Sequence, residues 1–139
     1  MKQLLLFFAI IFTIACATKP KIGTGPKKLN GTWVPVKQEL AGNAIPKSFY
    51  SKQTLTIKDS TYIVEAESTD KGKIYVWKNK IDIYGKEGVN KGRHFTAIYK
   101  IENNKLIVCY NLGGIGYPES FETLGKPQYF LSVFELVEK

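Results

Sequence analysis

The residues able to do chemistry in this 139-residue chain are few and scattered. Its one histidine, His94, stands beside Arg93 at the start of an alternating segment. A metal centre needs several His, Cys, Asp or Glu side chains at ligand spacing, and no second His or Cys offers that spacing here. Ser48, Ser51, Ser60, Ser68, Ser120 and Ser132 lie in no nucleophile motif. Glu65 and Glu67 share one face of a predicted strand, and the alternation points that face to solvent. The stretch GKEGVNKG at 85–92 has no Lys-Ser/Thr after its second Gly, so it does not form a phosphate loop. Gly113-Gly114-Ile115-Gly116 falls between two strands, whereas a dinucleotide loop joins a strand to a helix. The sequence therefore assigns no catalytic residue, no metal ligand and no cofactor, and the protein is not expected to be an enzyme.

The two cysteines have different settings. Cys109 sits in the apolar run Leu106-Ile107-Val108-Cys109-Tyr110, where a thiol packs as a small hydrophobe. Cys16 ends a leader, MKQLLLFFAIIFTIAC. Its apolar run from Leu4 to Ile14 is shorter than the roughly 20 residues that span a bilayer. It has the length of a secretory signal-peptide core. The ending Thr13-Ile14-Ala15-Cys16 resembles a bacterial lipoprotein signal. That resemblance implies cleavage before Cys16, lipidation of Cys16, and a membrane held through the N-terminal lipid. Ala17 after the cysteine implies, by the same resemblance, the outer membrane facing the periplasm. Residues 17–28, ATKPKIGTGPKK, have linker composition. The expected organisation is a signal at 1–15, a lipidated tether at 16–28 and one folded domain at 29–139.

Nineteen lysines and Arg93 give the chain a formal net charge of +8. Nucleic-acid binders mass such charge on one face. Here the lysines are spread over turns, and the aromatic residues alternate with polar ones as core positions do. No nucleic-acid partner is expected. A basic surface near anionic lipids is.

The elements that must position any site are strands. No window keeps a 3.6-residue period over ten residues, whereas short alternating runs recur between turn residues. Strands are predicted at 29–40, 53–58, 61–67, 73–79, 81–84, 93–101, 105–110 and 128–137. Pro35 marks a bulge or bend in the first, because proline cannot donate to a ladder. Residues 45–52 are assigned one short helical turn. Thr69-Asp70-Lys71-Gly72 is read as a turn, 85–92 as a loop and 111–127 as a long loop. Eight strands joined mostly by tight turns predict an all-β, eight-stranded antiparallel up-and-down barrel, closed by pairing the last strand with the first. A two-sheet β-sandwich is the alternative.

Gly31-Thr32-Trp33 at the head of the first strand resembles the G-x-W signature of lipocalins. In such a barrel Gly31 lets the chain bend closely and Trp33 plugs the closed end. The wider chain resembles a family of bacterial exported lipocalin-like domains of unknown function, through Leu29, Gly31 and Trp33, Gly42 and Pro46, Ile81 and Asp82, Tyr99, Leu106, Cys109 and Tyr110, and Pro118 and Phe121. Tyr117 stands where that family usually has Arg. The resemblance implies a fold rather than an activity.

An eight-stranded barrel is either filled by side chains or holds one small ligand. The expected inward set is Trp33, Leu55, Ile57, Tyr62, Val64, Val76, Phe95, Ala97, Tyr99, Phe130 and Phe134. A packed core accounts for it, as does a small apolar pocket with Tyr62, Phe95, Tyr99, Phe130 and Phe134 against the ligand. The long loop with Tyr117, Pro118 and Phe121 is expected to lid the barrel, to present a partner surface, or to plug one end with Phe121. Two functions follow. The first is a monomeric, membrane-anchored binder of a small hydrophobic ligand or envelope lipid. The second is a non-catalytic protein-interaction module, an inhibitor or envelope-assembly accessory, with a packed barrel. A void inside the barrel favours the first.

Overall fold

A computed structural model describes residues 27–138; the signal at 1–15, the lipidation site Cys16 and most of the tether lie outside the described residues. Nine strands form one antiparallel sheet: β1 (Gly31–Leu40), β2 (Asn43–Ala44), β3 (Thr54–Lys58), β4 (Thr61–Glu65), β5 (Thr69–Trp77), β6 (Lys80–Glu87), β7 (His94–Glu102), β8 (Lys105–Asn111) and β9 (Tyr129–Glu138). Pairing runs β2-β1-β3-β4-β5-β6-β7-β8-β9, and β1 also pairs with β9. The sheet therefore closes as an eight-stranded barrel with β2 as an extra strand, and closure leaves no long unpaired edge. The extra strand exists because β1 outruns β3: Gly31–Trp33 pair with β3, while Glu39 and Leu40 pair with β2.

Strand period sets the core. Leu55 and Ile57, Tyr62 and Val64, Ile81 and Ile83, and Phe95, Ala97 and Tyr99 alternate inward with Leu106, Val108 and Phe134 to form the interior cluster. β1 changes phase midway. Its register against β9 shifts between Pro35 and Lys37, so Val36 is bulged where the proline predicts a break. Inward positions pass from Trp33 and Pro35 to Gln38, all three buried.

The two ends differ. At one, β3–β4, β5–β6 and β7–β8 join through two-residue turns, with Asp59, Lys78, Asn103 and Asn104 at positive φ. That end is stoppered by the 3₁₀ turn Lys27–Leu29, which drops a buried Leu29 into the barrel. The Trp33 indole N–H donates to the Leu29 carbonyl at 2.9 Å. Gly31, at φ 140°, makes the bend into β1 in backbone space that side chains rarely adopt. The other end carries the longer connections 41–53, 66–68, 88–93 and 112–128.

Three local expectations are corrected. Thr69–Gly72 is not a turn but the start of β5, because Asp70 and Gly72 continue inward the period of Ile74. Gly72 is held there by close approach: a Cβ would lie 2.6 Å from the Tyr62 ring and 2.1 Å from the Tyr84 carbonyl oxygen. β6 runs on to Glu87, into the segment assigned to a loop. The long loop neither lids nor plugs the barrel. It folds back over the outer wall, where Tyr117 and Phe121 pack on Ile98, Cys109 and Leu131. Thr123 pins it, accepting from the Gly42 N–H at 2.9 Å and donating to the Glu39 carboxylate. Residues Phe95–Tyr99 of β7 are consequently buried on both faces.

Candidate ligand-binding cavity

Between the stoppered end and the open end lies a cavity of about 520 Å³, within the usual range for small-molecule sites. Its inner part is apolar, lined by Leu55, Ile57, Ile74, Ile83, Leu106 and Val108. Tyr62, Phe95, Phe130 and Phe134, four of the five residues expected against a ligand, also line it. The fifth, Tyr99, sits in the packed layer near the closed end, where its hydroxyl donates to the Lys78 carbonyl at 3.0 Å. The barrel is thus packed below by Leu29, Trp33, Ala97 and Tyr99 and hollow above.

Polar side chains ring the upper part. Asp70 is buried, and its carboxylate accepts from the Tyr62 hydroxyl at 3.3 Å, the Asn90 side-chain amide at 2.9 Å and the Asn90 backbone N–H at 3.1 Å. Burial, then the Asp70 charge and hydrogen bond, push the Tyr62 phenol well above its ordinary range, so it stays a neutral donor. Burial does the same to Tyr110, which also lines the cavity. Arg93 lies over the Phe95 ring with its guanidinium carbon 4.8 Å from the centroid, and it donates to the Asn90 amide oxygen at 3.3 Å. It stands in no ion pair among the described residues. Across the mouth, Gln38 donates to Gln53 at 2.7 Å. The arrangement suits a molecule with a long apolar body and a polar or anionic head: the body replaces water in the lower cavity, and the head meets Arg93.

Gln38, Gln53, Asp70, Asn90 and Arg93 are the site residues that sequence reasoning missed. The signal for Gln38 was the bulge at Pro35, which reverses the inward phase of everything after it in β1. The signal for Asp70 was the period of β5 read backward from Ile74 through Gly72. Asn90 comes from a loop, where no period exists to read; Arg93, expected to open the strand at 93–101, stands one residue before β7, and the alternation of Phe95, Ala97 and Tyr99 read backward was its signal.

A second polar group stands on the outer wall. The Asp82 carboxylate takes His94 Nε2 on one oxygen at 2.8 Å and the Tyr117 hydroxyl on the other. Tyr84 stacks on His94 with centroids 4.4 Å apart. The bond to Asp82, burial, and the charges of Asp82 and Tyr84 push the Tyr117 phenol up to about 12. Both carboxylate oxygens are engaged, and the group fastens the long loop to β6 and β7 as a clasp. Cys109 lies under the same loop, fully buried, with its thiol pushed up to about 11 by burial and then by the Glu39 charge; it is placed for packing rather than reaction. Among the described residues no group of three or more His, Cys, Asp or Glu is placed to hold a metal ion.

No family model matches the chain, and no curated protein matches it.

Proposed function

We propose that this protein is a non-catalytic, lipid-anchored carrier of a small hydrophobic or amphiphilic molecule in the cell envelope. The observation that carries the reading is the hollow upper barrel: about 520 Å³, apolar within and polar at its mouth. A barrel built only as a rigid interaction surface gains stability by filling such a space. The anchor is Cys16, supported by the leader MKQLLLFFAIIFTIAC, and Ala17 favours the outer membrane facing the periplasm. The barrel works as a monomer, without nucleic acid, metal or cofactor.

The ligand enters at the open end. Arg93 and the Asp70–Asn90–Tyr62 group orient its head, while the aliphatic wall takes its tail. The test is mass spectrometry of the protein purified from its native membrane under conditions that keep the barrel folded. A single class of lipid or apolar metabolite at near-equal stoichiometry supports the reading. A protein that carries nothing, and that takes up nothing from a total lipid extract, contradicts it.

A further inference from the structure

The two ends of the barrel present different surfaces. At the mouth, Phe49, Val89, Ile115 and Leu124 stand exposed among charges of both signs: Lys47, Lys52, Lys91, Arg93 and Lys126 against Glu67, Glu87 and Glu122. The stoppered end is basic. Lys27 and Lys28 on the 3₁₀ turn, Lys58 at the β3–β4 turn and Lys78 at the β5–β6 turn are all exposed, and none is in an ion pair among the described residues. The acidic residues at this end are Asp59 in the β3–β4 turn, Glu102 at the end of β7, held by Lys100 at 2.7 Å, Glu135, held by Lys105 at 2.9 Å, and Glu138 at the end of β9. Among these lysines stands Trp77, 71% exposed, with Lys78 Nζ 5.9 Å from its ring centroid. Tyr75 stands two residues before it on the same face of β5, and the Tyr84 ring meets Tyr75 edge-on at 5.7 Å.

We infer that the stoppered end seats on an anionic bilayer surface, with Trp77 in the headgroup layer and the mouth directed away from that membrane. Three observations converge. Lysines flanking an exposed indole match the chemistry of the membrane–water interface, where Trp and Tyr settle at headgroup level and Lys is drawn to anionic lipid. The chain enters the barrel at this end, through Lys27, so a chain fixed to a membrane through the segment before Lys27 delivers this face first. The mouth lacks the single sign of charge needed for the same attraction. Seating does not depend on the cavity holding a ligand. Where it does, exchange occurs with the aqueous phase or a soluble partner, not with the membrane beneath the barrel.

The barrel holds its own probe. Trp33 is 3% exposed and Trp77 is the other tryptophan, so quenching by lipid reports Trp77. The full chain is reconstituted in vesicles of brominated phosphatidylcholine, with or without phosphatidylglycerol. The expected result is strong quenching in the anionic vesicles, lost in high salt, weak in neutral vesicles, and lost when Lys27, Lys28, Lys58 and Lys78 are replaced by Gln. The double variant Trp77→Phe, Phe49→Trp moves the probe to the mouth and is expected to be unquenched. Equal quenching in neutral and anionic vesicles, or quenching of the mouth probe in place of Trp77, would overturn the inference. Since none of these readings involves the cavity, they stand or fall apart from ligand binding.

Discussion

The Tyr62 hydroxyl donates to the Asp70 carboxylate at 3.3 Å, and both side chains face the interior of the barrel. A buried carboxylate in a β-barrel requires compensation, and Asp70 receives it from Tyr62 and twice from Asn90. Replacing Asp70 by Ala leaves those donors unanswered. The expected loss is about 1–3 kcal/mol, the cost of stranding buried donors. Urea unfolding measures it. Asp70→Asn keeps an acceptor in place and is expected to lose less. It also removes the charge, so the Tyr62 phenol titrates closer to its ordinary range.

Trp33 and Leu29 close the opposite end. Trp33→Ala removes a buried indole and frees the Leu29 carbonyl, with an expected cost of about 3–5 kcal/mol. Trp33→Phe keeps most of the packing but loses the hydrogen bond, at about 1–3 kcal/mol. Both are read from denaturant midpoints.

The barrel itself was legible because eight alternating runs and their turns leave few topologies. The G-x-W resemblance placed Trp33 at the closed end, where it stands. The hollow was not legible. Tyr62, Phe95, Phe130 and Phe134 alternate inward whether they fill the space or line it, and that difference depends on strand tilt and bulges, which alternation does not encode. Thr69–Gly72 misled for a separate reason. Asp and Gly are turn formers in isolation, but in β5 one binds Asn90 and Tyr62 and the other makes room for the Tyr62 ring, so tertiary demand overrode local preference. The outer packing of the long loop was hidden because Tyr117 and Phe121 have no period to align with Ile98 and Leu131.

The clasp on the outer wall predicts a loss of stability in alkali. The Tyr117 phenol is raised to about 12 in the folded protein, above an ordinary value near 10. Between these values the unfolded chain has released the proton and the folded chain still holds it. The stabilisation is thus full below about pH 10 and declines as pH rises through about 12. Tyr117→Phe is expected to lower stability at neutral pH and to flatten part of the decline in that window. Thermal melts across the window, compared with the parent chain, read the difference.

Arg93, stacked on Phe95 at the mouth, predicts a head-group preference. Palmitate is expected to bind more tightly than hexadecanol, and hexadecylamine more weakly than either. Arg93→Gln is expected to weaken palmitate by about tenfold, the lower end for a charge-assisted hydrogen bond, and to leave hexadecanol nearly unchanged. Isothermal titration with the three compounds measures both effects.

The central claim is that the upper barrel is a binding site. Val64 lines the cavity and is only half-buried, so Val64→Trp has room to project into it and fill it. The most direct measurement titrates a fluorescent polyene fatty acid into the parent protein and into Val64→Trp, with circular dichroism verifying that the variant keeps its sheet. The account predicts saturable one-to-one binding to the parent, displacement by palmitate, and loss of that binding in the folded variant. Absence of saturable binding to the parent, or the same binding to both proteins, would contradict it.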